Sequence, residues 1–220
     1  MTNDELVIVT HSGAFHADDV FACATLSLCF KDKKLNIIRS RDKEVISRAD
    51  IVVDVGEEYN PERFRFDHHQ NGGAGVRENN IPYASFGLVW KEYGQILCGS
   101  IEAAQKFDKE VVAPIDAGDN GFELISLKTD ISPYNASSMI GSFNASWSED
   151  SDTVNDSGFF KMVSWAKEVI EREILSAADF IRAKSIVEKA YSEAKDKRVI
   201  VLDGPYPADD ILKQYPEPLY

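Results

Sequence analysis

The sequence predicts an α/β protein with a mostly parallel sheet flanked by helices, because strand and helix patterns alternate over its first third. Residues 6–10 and 51–55 are largely apolar, β-branched runs, which predict fully buried strands. Between them, residues 17–30 are alanine-rich and apolar enough for a buried helix, and residues 35–39 predict a short strand. Ligands bind beyond the carboxyl ends of the strands in such sheets, so we expect a site at that edge.

The later part of the chain predicts mainly helices. Residues 85–97, 102–117 and 136–146 have helical patterns. The polar, acidic stretch 148–158 lacks periodicity and predicts a loop or linker. From residue 159 to about 194, apolar residues keep near-helical spacing, which predicts one long helix or a broken pair.

Composition restricts the classes of partner and compartment. Lysine and arginine number 24 against 37 aspartates and glutamates, a formal net charge of −13. Phosphate contacts need clustered basic side chains, so any nucleic-acid role must depend on a local patch. The three cysteines form no C-x-x-C pair, which argues against a disulfide framework or a zinc knuckle. There is neither a basic signal-peptide region nor an apolar run near the ~18 residues of a membrane span, so we expect a cytoplasmic protein without a membrane partner.

All four histidines lie in two short clusters, and the first contains His11, His16, Asp18 and Asp19 within nine residues. This cluster follows a predicted buried strand and precedes a predicted helix, where Gly13 permits a tight turn. Imidazole and carboxylate are usual ligands of divalent transition ions, so the cluster predicts a metal site. The alternative is an acidic helix N-terminus, favourable to the helix dipole, beside two incidental histidines.

Two further features follow apolar segments. Asp54 ends the second buried strand, where a carboxylate faces the crevice or bears a desolvation penalty that a metal removes. His68 and His69 are adjacent and point in different directions, so one can bind metal while the other meets substrate. Asp67 can orient an imidazole by accepting its ring N–H. The alternatives are turn capping by Asp54 and a surface position for the histidines.

Two glycine-containing segments complete the candidate site. In residues 115–121, either Asp116 or Asp119 can complete a metal coordination sphere, with a helix C-cap and Asx turn as the alternative. After the histidine pair, Gly72 and Gly73 can cradle a phosphate through backbone N–H groups, or form a flexible loop.

This inventory of histidines and aspartates exceeds what one tetrahedral zinc needs. Two divalent ions ~3.5–4 Å apart, with one bridging carboxylate, use it fully. Because no thiolate is among the ligands, Mn²⁺ is preferred, with Mg²⁺ or Co²⁺ as alternatives. The predicted chemistry is hydrolysis, and the G-x-S-x-G, H-E-x-x-H and G-x-x-x-x-G-K-[ST] signatures of other enzymes are missing.

Taken together, the Asp67-His68-His69 motif, the upstream His and Asp cluster, the strand-end Asp and the later Asp resemble the DHH phosphoesterase superfamily. More narrowly, the segments THSGAFHADDVFA, RFDHHQ, IPYASFGLVW and IDAGDNG resemble the Myg-type family, also labelled "metal-dependent protein hydrolase". The resemblance implies a DHH-type α/β domain with a two-metal centre, and some relatives are 3′-5′ RNA exonucleases.

The same resemblance implies a role for each site residue. It implies that His11 and His16 hold a first ion and that Asp18, His68 and Asp116 hold a second. It implies that Asp54 bridges the two ions. His69 would face the scissile phosphate, with Asp67 as its orienting neighbour. Asp19 is a possible further ligand, and Asp119 is a rival of Asp116.

The predicted domain organisation follows from the same comparison. Residues 198–202 predict a strand without a downstream partner, and family members continue into a complete second domain. We therefore expect a metal-binding catalytic domain over residues 1–147, a loop and a connecting helix or helix pair over residues 148–197, and the beginning of a truncated second domain over residues 198–220.

The leading functional hypothesis is a metal-dependent phosphodiesterase of the 3′-5′ exonuclease type, acting on short RNA or nucleotides. A small-molecule phosphatase or pyrophosphatase and a non-enzymatic, metal-stabilised binding protein are the alternatives, and peptide hydrolysis is the least favoured. One stretch holds seven basic and three acidic residues and can track a phosphate backbone or form a solvated face; its basic members are Lys31, Lys33, Lys34, Arg39, Arg41, Lys43 and Arg48. Oligomeric state is left open.

Overall fold

A five-stranded sheet lies at the centre of the computed structural model, which describes residues 5–216. The strands are β1 (Glu5–Thr10), β2 (Lys34–Arg39), β3 (Ile51–Val53), β4 (Tyr59–Asn60) and β5 (Arg65–Phe66). Their spatial order is β2-β1-β3-β5-β4. All pairings are parallel except that of β4 with β5 at one edge. The predicted fold class, α/β with a mostly parallel sheet, is confirmed.

Helices account for most of the remaining regular structure. They are α1 (Ala17–Cys29), α2 (Lys43–Arg48), α3 (Ser85–Cys98), α4 (Ile101–Phe107), α5 (Ala113–Asp119), α6 (Ala136–Gly141), α7 (Ser151–Glu193) and α8 (Ala208–Leu212). A π-helical turn, Asp108–Val112, joins α4 to α5, so the helix predicted over residues 102–117 contains a local widening. The helix predicted over residues 136–146 ends earlier, at Gly141.

The main core lies on one face of the sheet, where α1 packs against α3 and α7. Phe21 and Phe86 are fully buried there, and the Trp90 ring stacks on Phe107 with centroids 4.1 Å apart. The opposite face has a small apolar cluster around Val9 and Val52, packed against the short α2. The two faces are therefore covered unequally.

The loop predicted over residues 148–158 is wrong from Ser151 onward, because α7 begins there. The polar side chain of Asn155 is buried and accepts a 2.7 Å hydrogen bond from the Ala145 N–H. Gly158 allows the same turn to approach the Phe143 carbonyl closely. These tertiary contacts stabilise a polar first turn that periodicity alone does not reveal. The helix then runs unbroken to Glu193, which resolves the alternatives in favour of one long helix.

The strand predicted over residues 198–202 is also wrong in the described part of the chain, where this segment is irregular and pairs with no strand. A strand needs a neighbour for its backbone N–H and C=O groups. Val199 and Val201 are 62% and 83% exposed, whereas Ile200 and Leu202 pack against the end of α7 and α8. Alternating burial here comes from contact with helices.

Across the described residues, none of the helices combines the length and the apolar character needed to cross a lipid bilayer.

Gly158→Ala tests the close approach of α7 to the site-bearing loop. A Cβ atom there would lie 2.5 Å from the Phe143 carbonyl oxygen and 3.1 Å from the Phe15 ring. We expect overpacking to lower the free energy of unfolding by about 1–3 kcal/mol, measured by urea denaturation. Gly141→Ala is the control, because its Cβ meets nothing within 4 Å. Equal stability of the two variants would contradict this packing argument.

Candidate metal centre

Three neighbouring parallel strands deliver the central residues of the site. The residue directly after β1 is His11, the residue after β3 is Asp54, and Asp67-His68-His69 follows β5. Because β1, β3 and β5 are adjacent and parallel, their carboxyl ends meet at one edge. The predicted location of the site at this edge is where the structure brings these residues together.

Helix α1 supplies the next group of side chains. His16 precedes its first turn, and the His16 N–H donates to Asp19 Oδ1 at 3.0 Å. Asp18 and Asp19 lie in that turn and are fully buried. A helix N-terminus is a favourable place for negative charge, so this turn offsets part of the cost of burying two carboxylates. The preceding loop contains Gly13 with a φ of 91°, a left-handed conformation suited to glycine.

Asp54 adopts an unusual backbone conformation. Its φ is 55°, in the left-handed region that non-glycine residues rarely occupy but that Asp tolerates better than most. The Asp54 N–H still donates to the Phe66 carbonyl, at 3.1 Å, so the residue remains attached to the neighbouring strand. The left-handed turn ends β3 two residues before the predicted end of the strand. Such local strain is typical of functional positions.

The two carboxylate oxygens of Asp54 face different histidines. Asp54 Oδ2 lies 3.3 Å from His11 Nε2, and Asp54 Oδ1 lies 3.3 Å from His68 Nε2. Burial raises the pKa of Asp54, but the two histidines more than reverse this effect and hold the pKa below its usual range. Asp54 is therefore an anionic link between two halves of the cluster.

The first half is built around His11. Its Nε2 atom lies 3.1 Å from Asp19 Oδ2, and its Nδ1 atom is 3.2 Å from the Ser12 carbonyl oxygen. Burial lowers the pKa of His11, but the carboxylates of Asp19 and Asp54 outweigh burial and raise the pKa to about 10. With a proton on Nδ1 held by the carbonyl, Nε2 would be the atom available to a metal ion, a common arrangement in metal sites.

The second half is built around His68. Its Nε2 atom lies 3.1 Å from Asp119 Oδ2 and 3.9 Å from Asp18 Oδ2. Burial lowers the pKa of His68, but Asp119 and Asp54 raise it to about 10. Burial, followed by the negative charges of Asp54 and Asp119, raises the pKa of Asp18 well above its usual range. Without a cation, this half of the site therefore retains protons at neutral pH.

His69 and His16 lie at the exposed rim of the cluster, with side chains 57% and 60% exposed. Asp67 holds His69 in place: its Oδ1 lies 2.8 Å from His69 Nδ1 and also accepts the His69 N–H. The other Asp67 oxygen accepts the Glu57 N–H at 2.6 Å. The hydrogen bond to Asp67 raises the pKa of His69, against a smaller effect of burial. The geometry expected of an orienting Asp is therefore present.

Of the two rival aspartates on α5, the structure brings Asp119 to the cluster and keeps Asp116 apart. Asp116 Oδ2 lies 2.7 Å from an Arg77 nitrogen, and its Oδ1 accepts the Gly87 N–H at 3.0 Å. Asp119 contacts His68 and lies 3.6 Å from His16 Nδ1. Asp119, the rival of Asp116, is therefore the one that lies in the cluster, and the ligand role of either residue stays a prediction. The two residues are one helical turn apart, and only the packing of α5 decides which reaches the site.

Sequence reasoning missed three residues that support the cluster. The Ser85 hydroxyl donates to Asp54 Oδ1 at 2.9 Å. Arg39 is a buried cation that donates to the Gly13 carbonyl and forms a 2.6 Å ion pair with Asp156. Arg77 links Asp116 to the π-helical turn. For Arg39 a signal existed, since a charged residue ending an apolar strand needs a partner, as at Asp54; nothing in the local pattern marks Ser85.

The phosphate-cradling role of Gly72 and Gly73 stays a prediction. Both residues are exposed and have positive φ values, 88° and 70°, in the loop directly after His69. Asp19 lies beside His11, as a possible ligand should.

The donor set fits divalent cations. Three groups have ligand atoms within 4.8 Å of one another: His11, His16 and Asp54; Asp54, His68 and His69; and His16, Asp18 and Asp119. Among the described residues, both Asp18 oxygens are buried without a hydrogen bond of good geometry, and Asp19 Oδ2 and His68 Nε2 have only the ion-pair contacts described above. Buried carboxylate atoms without partners are costly, and a cation is the partner that removes the cost.

The fold and this cluster define an α/β protein with a buried centre of histidines and aspartates suited to metal ions. The chain belongs to the MYG1 family, since the protein-family model described as "Uncharacterised protein family (UPF0160)" matches residues 7–219. It is 34% identical to "MYG1 protein" of Dictyostelium discoideum over 94% of this chain and 69% of that relative. No solved structure matches.

Two mammalian relatives are named for an activity. The chain is 32% identical to "MYG1 exonuclease" of Rattus norvegicus and to "MYG1 exonuclease" of Homo sapiens, in each case over 84% of this chain. These matches cover 54% and 55% of the two relatives. The chain therefore spans about half the length of these relatives.

The two aspartates of α5 give a matched pair of variants. Asp119→Asn removes a charge that faces His68, so we expect at least about tenfold weaker Mn²⁺ binding by calorimetry. Asp116→Asn weakens the ion pair with Arg77, so we expect mainly a stability loss of about 1–3 kcal/mol, with a smaller effect on Mn²⁺. Weaker Mn²⁺ binding in Asp116→Asn than in Asp119→Asn would reverse our assignment of the two positions.

Metal binding is expected to release protons. The pKa values of His11 and His68 are raised to about 10 in the metal-free protein, so both imidazoles are charged at pH 7. Ligation requires the neutral ring, and Mn²⁺ affinity should therefore rise between pH 6 and pH 8, by up to about tenfold per pH unit for each proton released. Calorimetry in buffers of different ionisation enthalpy counts these protons. An affinity independent of pH would contradict the proposed ligand set.

Proposed function

We propose that this chain is a divalent-metal-dependent phosphoester hydrolase, of the 3′-5′ exonuclease type, acting on short RNA or nucleotides. The observation that carries the proposal is the central position of Asp54, whose two oxygens face His11 and His68 with further carboxylates around them. The names of the two mammalian relatives support a nuclease within this family. The order of the motifs supports placement in the DHH phosphoesterase superfamily.

We assign two ions to the cluster, with Mn²⁺ preferred and Mg²⁺ or Co²⁺ as alternatives. We assign His11 and His16 to the first ion. We assign Asp18, His68 and Asp119 to the second ion, and Asp54 to both. When bound, such ions acidify water and stabilise the charge that develops on phosphoryl oxygens. The clustering of His11 and His68 on opposite oxygens of Asp54 is what supports two ions over one.

Residues beside the proposed metal ligands are assigned to substrate contact and positioning. His69 stands at the exposed rim with Nδ1 fixed by Asp67, which leaves Nε2 as the atom that can reach a substrate phosphate. A raised pKa favours the charged ring, so His69 can hold a proton on Nε2 and donate a charge-assisted hydrogen bond to a phosphate oxygen. Ser85 holds Asp54 by its hydroxyl hydrogen bond. His69 is thus proposed for substrate contact, with Asp67 as its orienting residue and Ser85 positioning Asp54.

The domain division stays part of the proposal. We assign the metal cluster to a catalytic domain over residues 1–147 and a connecting function to α7 within residues 148–197, with a second domain beginning near residue 198. A cytoplasmic location stays a prediction from the sequence.

Asp54→Asn is the direct test. Losing the shared charge should weaken Mn²⁺ binding and lower the hydrolysis rate by about 10²-fold or more. The assay offers short RNA, single-stranded DNA, dinucleotides, pyrophosphate and a peptide, with Mn²⁺ present, and follows product release. Asp32→Asn is the control, since Asp32 is an exposed carboxylate between α1 and β2, at the opposite edge of the sheet.

Each outcome of this panel has a defined meaning. Hydrolysis of RNA and dinucleotides that Asp54→Asn removes supports the phosphodiesterase. Turnover of pyrophosphate alone assigns the site to a small-molecule phosphatase, and Mn²⁺ stabilisation without turnover of any substrate assigns it to a binding protein. Full activity of Asp54→Asn would overturn the shared-ligand model.

A further inference from the structure

A groove of about 700 Å³ opens next to the metal cluster, and His69, Asp67 and Asp54 lie on its wall. Its remaining wall carries four cationic side chains, those of Arg41, Lys43, Arg63 and Arg65, and two acidic ones, those of Glu57 and Glu58. The groove lies on the sheet face that α2 covers only in part, with Ile46 and Val52 also lining it. It is a cavity of the size that small ligands occupy, and it is continuous with the exposed rim at His69.

The four cations come from two separate parts of the sequence. Arg41 and Lys43 lie at the start of α2, whereas Arg63 and Arg65 come from the short turn and strand around β5. Folding therefore assembles a basic cluster that no single stretch of sequence displays. Away from the metal cluster, the groove wall carries these four cations against the two carboxylates of Glu57 and Glu58, in a chain whose formal net charge is −13. Such a local excess of positive charge favours an anionic ligand.

The seven basic residues of the stretch identified in the sequence lie in different parts of the structure. Its first members, Lys31, Lys33 and Lys34, lie near the amino-terminal end of β2, at the opposite edge of the sheet from the site. Arg39 is buried beneath the loop of Gly13, and the exposed Arg48 pairs with Glu44. Of the seven basic residues in that stretch, Arg41 and Lys43 line the groove.

Two of the four groove cations, Arg63 and Arg65, are already engaged by neighbouring groups. Arg65 is held by the carbonyl oxygens of Ala49 and Arg63, at 3.1 and 3.0 Å, so its charge is fixed in place. Arg63 pairs with Glu58, which also lines the groove, at 3.0 Å.

Arg41 and Lys43 are the more available pair. Arg41 donates to the Ser12 carbonyl at 3.2 Å, beside the metal cluster. Lys43 is exposed and forms no ion pair within residues 5–216. Two exposed cations on the same groove wall as the rim histidine are therefore available to an anionic ligand.

We propose that this groove binds the backbone phosphates of nucleotides adjoining the scissile one, so that the preferred substrate is a single-stranded oligonucleotide. The inference rests on the proposed function, which places the scissile phosphate at His69. A substrate ending at that phosphate, such as pyrophosphate, would leave Arg41 and Lys43 unused. A chain of several nucleotides would place further phosphates along the groove, where each contact adds affinity that falls with salt.

The test is binding of a fluorescein-labelled single-stranded RNA oligomer with phosphorothioate linkages, which resist hydrolysis, compared with a labelled dinucleotide. Fluorescence anisotropy with the Mn²⁺-loaded chain gives both affinities over a series of salt concentrations. We expect the Arg41→Gln, Lys43→Gln double variant to bind the oligomer about tenfold more weakly. Its slope of log affinity against log salt should be shallower by about 1.4, or 0.7 for each lost contact.

Two further variants make the result specific. Lys31→Gln, Lys33→Gln removes the same net charge at the opposite edge of the sheet, and should bind the oligomer as the unmodified chain does. Arg41→Lys, Lys43→Arg keeps the charge and should retain the salt slope. An unchanged affinity ratio between oligomer and dinucleotide in Arg41→Gln, Lys43→Gln would overturn the groove proposal, as would an equal loss in the Lys31→Gln, Lys33→Gln control.

The proposed function and the groove can fail separately in this design. Groove-dependent binding of the oligomer without hydrolysis of ordinary RNA by the unmodified chain would reject the phosphodiesterase and keep the binding site. Hydrolysis of dinucleotides with no gain in affinity for the longer oligomer would keep the phosphodiesterase and reject the groove.

Discussion

The structure depends on holding several carboxylates together in a nearly dry space at the edge of the sheet. Asp18 and Asp19 are fully buried and Asp54 nearly so, within reach of two histidines whose pKa values are raised to about 10. In water-excluded surroundings, like charges at this spacing repel strongly, and desolvation adds to the cost. Protons on the histidines compensate part of that cost, and divalent cations compensate it more completely. The buried carboxylates of this cluster are therefore stable only when positive charge lies beside them.

The surrounding elements fix the parts of the cluster one by one. Ser85, in the first turn of α3, donates to Asp54, so that helix and β3 are tied at the centre of the site. Arg39 at the end of β2 holds the Gly13 carbonyl and packs over Phe15 and Phe159, which links the loop between β1 and α1 to α7. The long helix thus supports the loop from behind, although it contributes no ligand that we assign. Groups held on separate elements in this way are preorganised before a cation or substrate arrives.

Much of the fold and part of the site could be predicted from the sequence, and the failures share a physical cause. Continuous apolar runs predicted β1 and β3, because local composition reflects burial. The two clusters of histidines pointed to the edge of the sheet where the candidate site lies. The choice between Asp119 and Asp116 depends instead on the rotation of α5, which Arg77 fixes from a distant segment. Residues 151–158 are helical through tertiary contacts of Asn155 and Gly158, and residues 198–202 have apolar alternation without a strand partner. Local patterns carry no information on such long-range contacts.

Charge distribution connects the buried cluster with the exposed groove. An acidic chain repels a polyanion over most of its surface, so approach is favoured where positive charge is concentrated. Arg41 and Lys43 provide that concentration beside His69, and the metal ions we propose would extend it inward. His11 and His68 are buried and suited to ligation, whereas His69 is exposed at the groove and suited to contact with a phosphate. In the proposed assignment the buried His11 and His68 hold metal and the exposed His69 contacts substrate, whereas His16 is a ligand at the exposed rim. The groove gives His69 a direction in which a substrate chain can extend.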